Sequence, residues 1–187
     1  YLPWISSQFQ EDYINKDKDN YILKYNYENR LIVRMGYNYS YNSAGGALVN
    51  NTITTNSYSI RAGFESAGNI LYGISKMINM RKNKDGEYAI LGIPYAQYLK
   101  GDFDFAKNII IDHRNSLAFH AGIGIAVPYG NAKVVPFEKR YFSGGANSVR
   151  GWSVRNLGPG SFAGDGNFMN QSGDIKLDAS IEYRSKL

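Results

Sequence analysis

"IKLDASIEYR", residues 175–184, divides at every second position. Ile175, Leu177, Ala179, Ile181 and Tyr183 fall on one face of an extended chain; Lys176, Asp178, Ser180, Glu182 and Arg184 fall on the other. A period of two marks a β-strand, because successive side chains point to opposite faces. Full charges on one face leave two architectures open. One is a soluble sheet with one wet face. The other is a membrane-spanning barrel strand, apolar toward lipid and polar toward the lumen.

The same split recurs along the chain. In 116–127, Leu117, Phe119, Ala121, Ile123, Ile125 and Val127 oppose Ser116, Ala118, His120, Gly122, Gly124 and Ala126. In 31–42, Leu31, Val33, Met35, Tyr37, Tyr39 and Tyr41 oppose Ile32, Arg34, Gly36, Asn38, Ser40 and Asn42. Tyr58, Ile60, Ala62 and Phe64 oppose Ser59, Arg61, Gly63 and Glu65. Leu99, Phe103, Phe105, Ile109 and Ile111 oppose Lys100, Asp102, Asp104 and Asn108. Tyr21, Leu23, Tyr25 and Tyr27 form a further apolar face, and Leu2 to Phe9 is a candidate strand. Whether the run from Tyr21 turns at Glu28-Asn29-Arg30 or continues stays open at this point. Several runs reach the roughly ten residues of a tilted transmembrane strand. Tyr37, Tyr39 and Tyr41, stacked at one end of an apolar face, match an aromatic girdle and favour the barrel.

Bulk properties agree. The chain has 187 residues, 16 tyrosines, 20 glycines and no cysteine, which excludes disulfides and thiolate metal sites. The net charge is +5 with Lys and Arg scattered, so nucleic acid is not an expected partner. No apolar run approaches the about 18 residues of a membrane helix, which says nothing against a barrel. The chain begins at Tyr1 without Met and stops just after a strand pattern at Lys186-Leu187. It reads as a piece of a longer protein.

The connections are unequal. Asp112-His113-Arg114-Asn115 is a tight turn, whereas 67–95 and 128–173 are long, and 44–56 is intermediate. Short turns at one end and long loops at the other is the outer-membrane pattern. In the first long connection Ile70, Leu71, Ile74, Met77 and Ile78 have helical spacing. Lys76, Arg81, Lys82 and Lys84 accompany them. Two placements fit this helix: on the barrel rim or membrane, or, more plainly, packed on its own loop.

The second long connection contains "EKRYFSGGANSVRGWSVRNLGPGSF", residues 138–162, dense in glycine, arginine and aromatics. Spacing alone makes Arg150 a solvated residue at a hairpin tip. Together with the final strand, however, this stretch resembles the C-terminal barrel of the BamA/TamA family of outer-membrane assembly proteins, the bacterial surface antigen family, in its Bacteroidetes form. The resemblance rests on Tyr141-Phe142, Gly144-Gly145 and Val149-Arg150-Gly151-Trp152, with Glu182 at the family's inward glutamate. Phe64-Glu65-Ser66-Ala67-Gly68-Asn69 and Lys100-Gly101-Asp102-Phe103-Asp104-Phe105 also resemble family strand motifs. It covers roughly residues 20–187.

The resemblance implies an all-β fold: an antiparallel meander of long strands, part of a sixteen-stranded transmembrane barrel, with an inward-folded loop and a short loop helix. Residues 1–187 would be a partial barrel domain of about six or seven strands, without the periplasmic repeats and the last strands. It implies that the loop (Gly144, Gly145, Val149, Arg150, Gly151, Trp152) packs in the lumen with Arg150 on Glu182. Asp102, Asp104 and Asp178 would line the lumen. An arginine fork suits a carboxylate, and the glycines allow close backbone approach.

The implied function is insertion, assembly or translocation of other proteins at the outer membrane of a Gram-negative bacterium. Expected partners are unfolded outer-membrane or exported proteins, accessory lipoproteins, the lipid bilayer and lipopolysaccharide. The alternatives are a dedicated two-partner-type secretion transporter or a lipase-anchoring barrel of the same superfamily, and, from another class, a soluble extracellular β-sandwich binding module. No catalytic set, metal site or cofactor site is expected. "SGGANSVRG" lacks the Gly-Lys-Ser/Thr of a phosphate loop. His113 and His120 lack ligand spacing, and Asp165 and Asp174 lie in Gly-rich segments without a calcium-loop pattern. Asp102 and Asp104 share a face, but lumen charge is the plainer reading than a catalytic pair.

Overall fold

The computed structural model describes residues 29–43, 48–49, 52–53, 56–146, 148–158, 160 and 171–186. The expected strands at Leu2 to Phe9 and Tyr21 to Tyr27, and Asp165, lie outside the described residues.

Five long strands form one sheet in the order β1-β4-β7-β8-β9: β1 (Arg34–Asn42), β4 (Ser57–Ala67), β7 (Tyr98–Ile110), β8 (Asn115–Pro128) and β9 (Ile175–Ser185). Every long strand neighbours the next long strand in sequence, so the order is a meander running from β1 to β9 among the described residues. The fold is all-β as the periodicity demands. Five strands are fewer than the eight of the smallest closed transmembrane barrels. Between β1 and β4 lie two short strands, β2 (Leu48–Val49) and β3 (Thr52–Ile53), paired antiparallel. β5 (Ala89–Ile90) and β6 (Ile93–Pro94) pair likewise.

β8 and β9 are antiparallel, in a register that runs from Asn115 opposite Ser185 to Ile125 opposite Ile175. This register sets small residues against charged ones: Gly124 faces Lys176, Gly122 faces Asp178 and Ala118 faces Glu182. Side chains directly opposite each other are cross-strand neighbours, so the small residues of β8 leave room for the charges of β9.

Two compact units divide the strands along their length. One comprises 36–64, 100–125 and 175–187. In this unit the apolar face is the exposed one. Ile175 is 69% exposed, Leu177 79% and Ile181 70%, while Lys176, Asp178 and Glu182 on the other face are partly covered. A soluble sheet buries its apolar face and wets its polar one; here the arrangement is reversed. In this unit Tyr41, Tyr58 and Tyr183 lie near strand ends. Tyr41 and Tyr58 stack with ring centroids 5.6 Å apart, and the Tyr183 hydroxyl donates to Asn115 Oδ1 at 2.7 Å. The tight turn is fixed by Asp112, which accepts from the amides of Arg114 (2.8 Å) and Asn115 (2.9 Å) and from Asn115 Nδ2.

The other unit comprises 1–35, 65–99 and 126–174. Among the described residues it holds all of the buried apolar core: Ala67, Tyr95, Ala96, Tyr98, Ala126, Ala132 and Val135, with Ile32 and Tyr141 packed against it. The helix expected from 70–78 is α1 (Asn69–Met77). It starts at Gly68, whose φ of 75° and whose hypothetical Cβ only 2.3 Å from the Ala96 carbonyl oxygen admit no other residue.

Candidate functional site

The second long connection is built from its root outward. At the base, Tyr141 and Gly173 exchange two backbone hydrogen bonds of 2.8 Å. Arg140 Nε meets Asp174 Oδ1 at 3.2 Å, an ion pair across the loop root. Further in, Ser143 pairs with Leu157, Arg155 N donates to Ser143 O at 2.9 Å, and Gly145 N donates to Trp152 O at 2.8 Å. The tip is a β-turn over Val149-Arg150-Gly151-Trp152, closed by Trp152 N to Val149 O at 3.4 Å. Gly151 has φ 91° at its third position, the position at which a type II turn requires a positive φ. Arg150 therefore occupies the second position, at the apex, and its side chain is exposed, as are Val149 and Trp152. Gly144 is needed because a Cβ there would lie 2.2 Å from the Ser153 carbonyl oxygen.

A second arginine organises this hairpin. Arg155 has φ 61°, and its guanidinium carbon lies 4.0 Å from the Phe137 ring centroid and 4.8 Å from that of Phe142. Arginine between aromatic faces is a favourable cation–π arrangement.

The loop root is fastened to the wall through Glu65 of β4. Tyr98, fully buried on β7, donates its hydroxyl to Glu65 Oε1 at 2.5 Å. Arg34 of β1 pairs with Glu65 Oε2. Lys139, in the 3-10 turn Phe137–Lys139 of the loop, reaches Glu65 Oε1 at 3.0 Å. Two cations and a hydroxyl thus share one carboxylate, which satisfies its lone pairs and makes burial tolerable.

A second fastening joins the two long connections through amides. Gln97, 2% exposed, donates from Nε2 to Asn69 Oδ1 at 3.0 Å and accepts from Asn131 N at 2.8 Å. Asn131 Nδ2 donates to the Tyr88 and Tyr95 carbonyls at 2.9 and 3.0 Å. The Tyr129 hydroxyl also bonds Asn69 Oδ1. Pro128-Tyr129-Gly130-Asn131 is thereby clamped onto 69–97, with Gly130 at φ 60° against the Gln97 carboxamide.

On the polar face of the sheet, His120 stands between two acids. Its Nε2 is 3.0 Å from Asp104 Oδ1 and its Nδ1 3.2 Å from Asp178 Oδ1. Lys176 Nζ adds a 2.9 Å contact to Asp178 Oδ2. A Cβ on Gly122 would lie 3.0 Å from Asp178 Oδ1 and 3.1 Å from Asp104 Oδ1. His120, isolated in the sequence, is thus central in the fold. Asp102 and Asp104 do share a face but separate in role: Asp102 flanks Gly63. Glu182 accepts from Arg184 Nε and Nη2 at 3.1 and 2.8 Å. Among the described residues no group of three or more His, Asp or Glu is arranged to hold a metal ion.

The sequence profile of the Omp85 superfamily domain matches residues 5–187. The chain belongs to the Omp85 superfamily. Over 60 residues, 32% of the chain, it is 37% identical to the outer membrane protein assembly factor BamA of Neisseria meningitidis serogroup B (strain ATCC BAA-335 / MC58). That match covers 8% of the relative's length.

Omp85 membership places the chain in the outer membrane of a Gram-negative bacterium and explains the reversed sheet. Exposed Ile175, Leu177 and Ile181 on one face, with Asp104, His120 and Asp178 together on the other, is the alternation of an outer-membrane barrel strand. Sequence reading identified the glycines and Arg150 but not Lys139, Tyr98, Gln97 or Asn131. Lys139 and Tyr98 lie 74 and 33 residues from Glu65, beyond any local pattern. For Gly130-Asn131, the Gly-Asn pair was the available signal, marking a turn with a fixed purpose.

Proposed function

We propose that this chain is wall and bracing loop of an Omp85 barrel that assists the insertion, assembly or translocation of other proteins at the outer membrane. The observation that carries the reading is the reversed sheet, its apolar face exposed and its charged face partly covered, together with a long connection fastened at its root to Glu65. The work implied is non-covalent: guiding unfolded outer-membrane or exported proteins, with accessory lipoproteins, into the membrane. It needs no catalytic group.

Within that reading the hairpin tip is the working end. The apex position of Arg150 suits it to reach the lumen wall of the intact sixteen-stranded barrel and pair with Glu182. Such a pair gains little net stability because both charges must be desolvated; its role is to fix the tip in one place. The test is Arg150→Ala in the full-length protein in its own cell, with outer-membrane proteins quantified by mass spectrometry and the variant's own level as control. Broad loss of barrels at normal variant level supports general assembly. Loss of one exported protein would replace this reading with a dedicated transporter.

A further inference from the structure

Helix α1 (Asn69–Met77) is inverted relative to a helix of a soluble domain. Its buried residue is Ser75, whose Oγ receives the Tyr95 hydroxyl at 3.1 Å. Its apolar stripe faces outward: Ile70, Ile74, Met77 and, just beyond the helix, Ile78 are all exposed, Met77 at 80%. Positions 70, 74, 77 and 78 lie on one side of a helix. The sequence left two placements for this segment, and its packing does not bury the stripe on its own loop.

The polar surroundings of the stripe are one-sided in charge. Residues 69–86 carry Lys76, Arg81, Lys82 and Lys84 against Asp85 alone. The neighbouring Glu87 is buried and paired with Arg30 at 3.3 Å. Two of the lysines are mounted on aromatics. Lys76 Nζ lies 5.0 Å from the Tyr72 ring centroid and Lys82 Nζ 5.2 Å from that of Tyr88. The two rings meet edge to face at 5.8 Å. The result is a row Lys76-Tyr72-Tyr88-Lys82 beside a bare apolar stripe. Tyrosine and lysine, each with an apolar body and polar tip, suit the boundary between hydrocarbon and headgroups.

We infer that α1 and the basic segment behind it form a membrane-surface foot. The stripe of Ile70, Ile74, Met77 and Ile78 lies at the acyl boundary, and Lys76, Arg81, Lys82 and Lys84 bind the phosphate-bearing headgroups of the bilayer in which the barrel sits. Charge complementarity selects this occupant: a helix with an apolar face, a basic margin and Tyr at the boundary partitions to anionic lipid surfaces. Gly68 alone separates the helix from β4, a strand of the lipid-spanning sheet, which keeps the foot close to the bilayer.

These 187 residues hold no cysteine; with every cysteine elsewhere in the full-length protein replaced by Ser, Met77→Cys gives a single site for an environment-sensitive dye at the most exposed point of the stripe. The full-length protein is reconstituted in nanodiscs of phosphatidylcholine alone and of phosphatidylcholine with phosphatidylglycerol, and heat-modifiable gel migration confirms folding. The dye is expected to be quenched by nitroxide-labelled acyl chains and protected from aqueous iodide, more so with phosphatidylglycerol. Arg81→Gln and Lys82→Gln are each expected to shift the docked-to-undocked ratio about fivefold toward undocked. A dye open to iodide and untouched by the nitroxide lipids in both nanodiscs overturns the foot. Equal quenching in both, unchanged by the Gln variants, overturns the assignment to anionic headgroups.

Discussion

The Tyr98 hydroxyl of β7 and Glu65 Oε1 of β4 meet at 2.5 Å across neighbouring strands of the sheet. Lys139 of the loop shares that oxygen. The same carboxylate therefore serves the wall and the loop, and the two services can be separated by mutation. Tyr98→Phe removes one hydrogen bond to a charged acceptor and is expected to cost about 1.5–3 kcal/mol of barrel stability. Lys139→Ala leaves Arg34 and Tyr98 on Glu65 and is expected to change the melting temperature little while exposing residues 141–173 to protease. Thermal gel-shift and limited proteolysis of the full-length protein read the two effects. Equal effects of both variants on melting, with no change in proteolysis, would contradict the division.

Gly130 is held where a side chain cannot go. A Cβ would lie 2.2 Å from Gln97 Oε1, and φ is 60°. Gly130→Ala is expected to cost about 1–2 kcal/mol from the left-handed backbone, plus the displaced Gln97 bonds. Gln97→Ala in the same chain should recover the steric part, so the double variant is less destabilised than the sum of the singles. Strict additivity in denaturant unfolding would show that the clamp is not formed.

The glycines of the strands are predicted to differ sharply. Gly122→Val pushes into Asp104 and Asp178, whose oxygens lie 3.0–3.1 Å from the Cβ position. It is expected to destabilise by about 1–3 kcal/mol, the range of an overpacked site. Gly101→Ala in β7 meets nothing within 4 Å and should be neutral or slightly stabilising. The two variants, compared by urea unfolding in liposomes, should rank in that order.

The tight turn carries a pH dependence. The side-chain amide of Asn115, then the Arg114 and Asn115 amides, hold the Asp112 carboxyl below its ordinary value. A lowered folded value means that the stabilisation is complete above the ordinary aspartate range near 3.8 and is lost as pH falls through the lowered value. Asp112→Asn should remove this acid-side dependence in the β7–β8 turn. An NMR titration of the Asp112 carboxyl carbon with a midpoint at or above the ordinary value would reject it.

The long strands were legible because a period of two needs no knowledge of partners. β9 alone contains the whole signal, and the helix at 69–77 and the turn at 112–115 followed from equally local patterns. The start of β1 was misplaced by three residues. Leu31 leaves the sheet to bridge Tyr95 instead, with its amide on Pro94 O at 3.0 Å. Of the loop motif, the turn glycines were legible, because positive φ at Gly144, Gly145 and Gly151 is a local demand; Arg150 was singled out by resemblance. The fastenings of the loop were not legible. Periodicity assigns Glu65, Asp104 and His120 to a face, but register decides who meets whom, and register depends on strands distant in sequence. His120 looked alone for that reason.

The pair Tyr141–Gly173, closing the base of the second long connection, changes how its apex finds a docking partner. A flexible segment anchored only at its strand ends would sample a wide volume, and closure entropy rises with the length left free. With the base already joined, only the inner part remains to be ordered, so in the docking proposed above Arg150 would meet its carboxylate at a raised effective concentration. Weak pairing at the apex would then suffice for high occupancy, and local loosening of the tip would release it while the base stays shut.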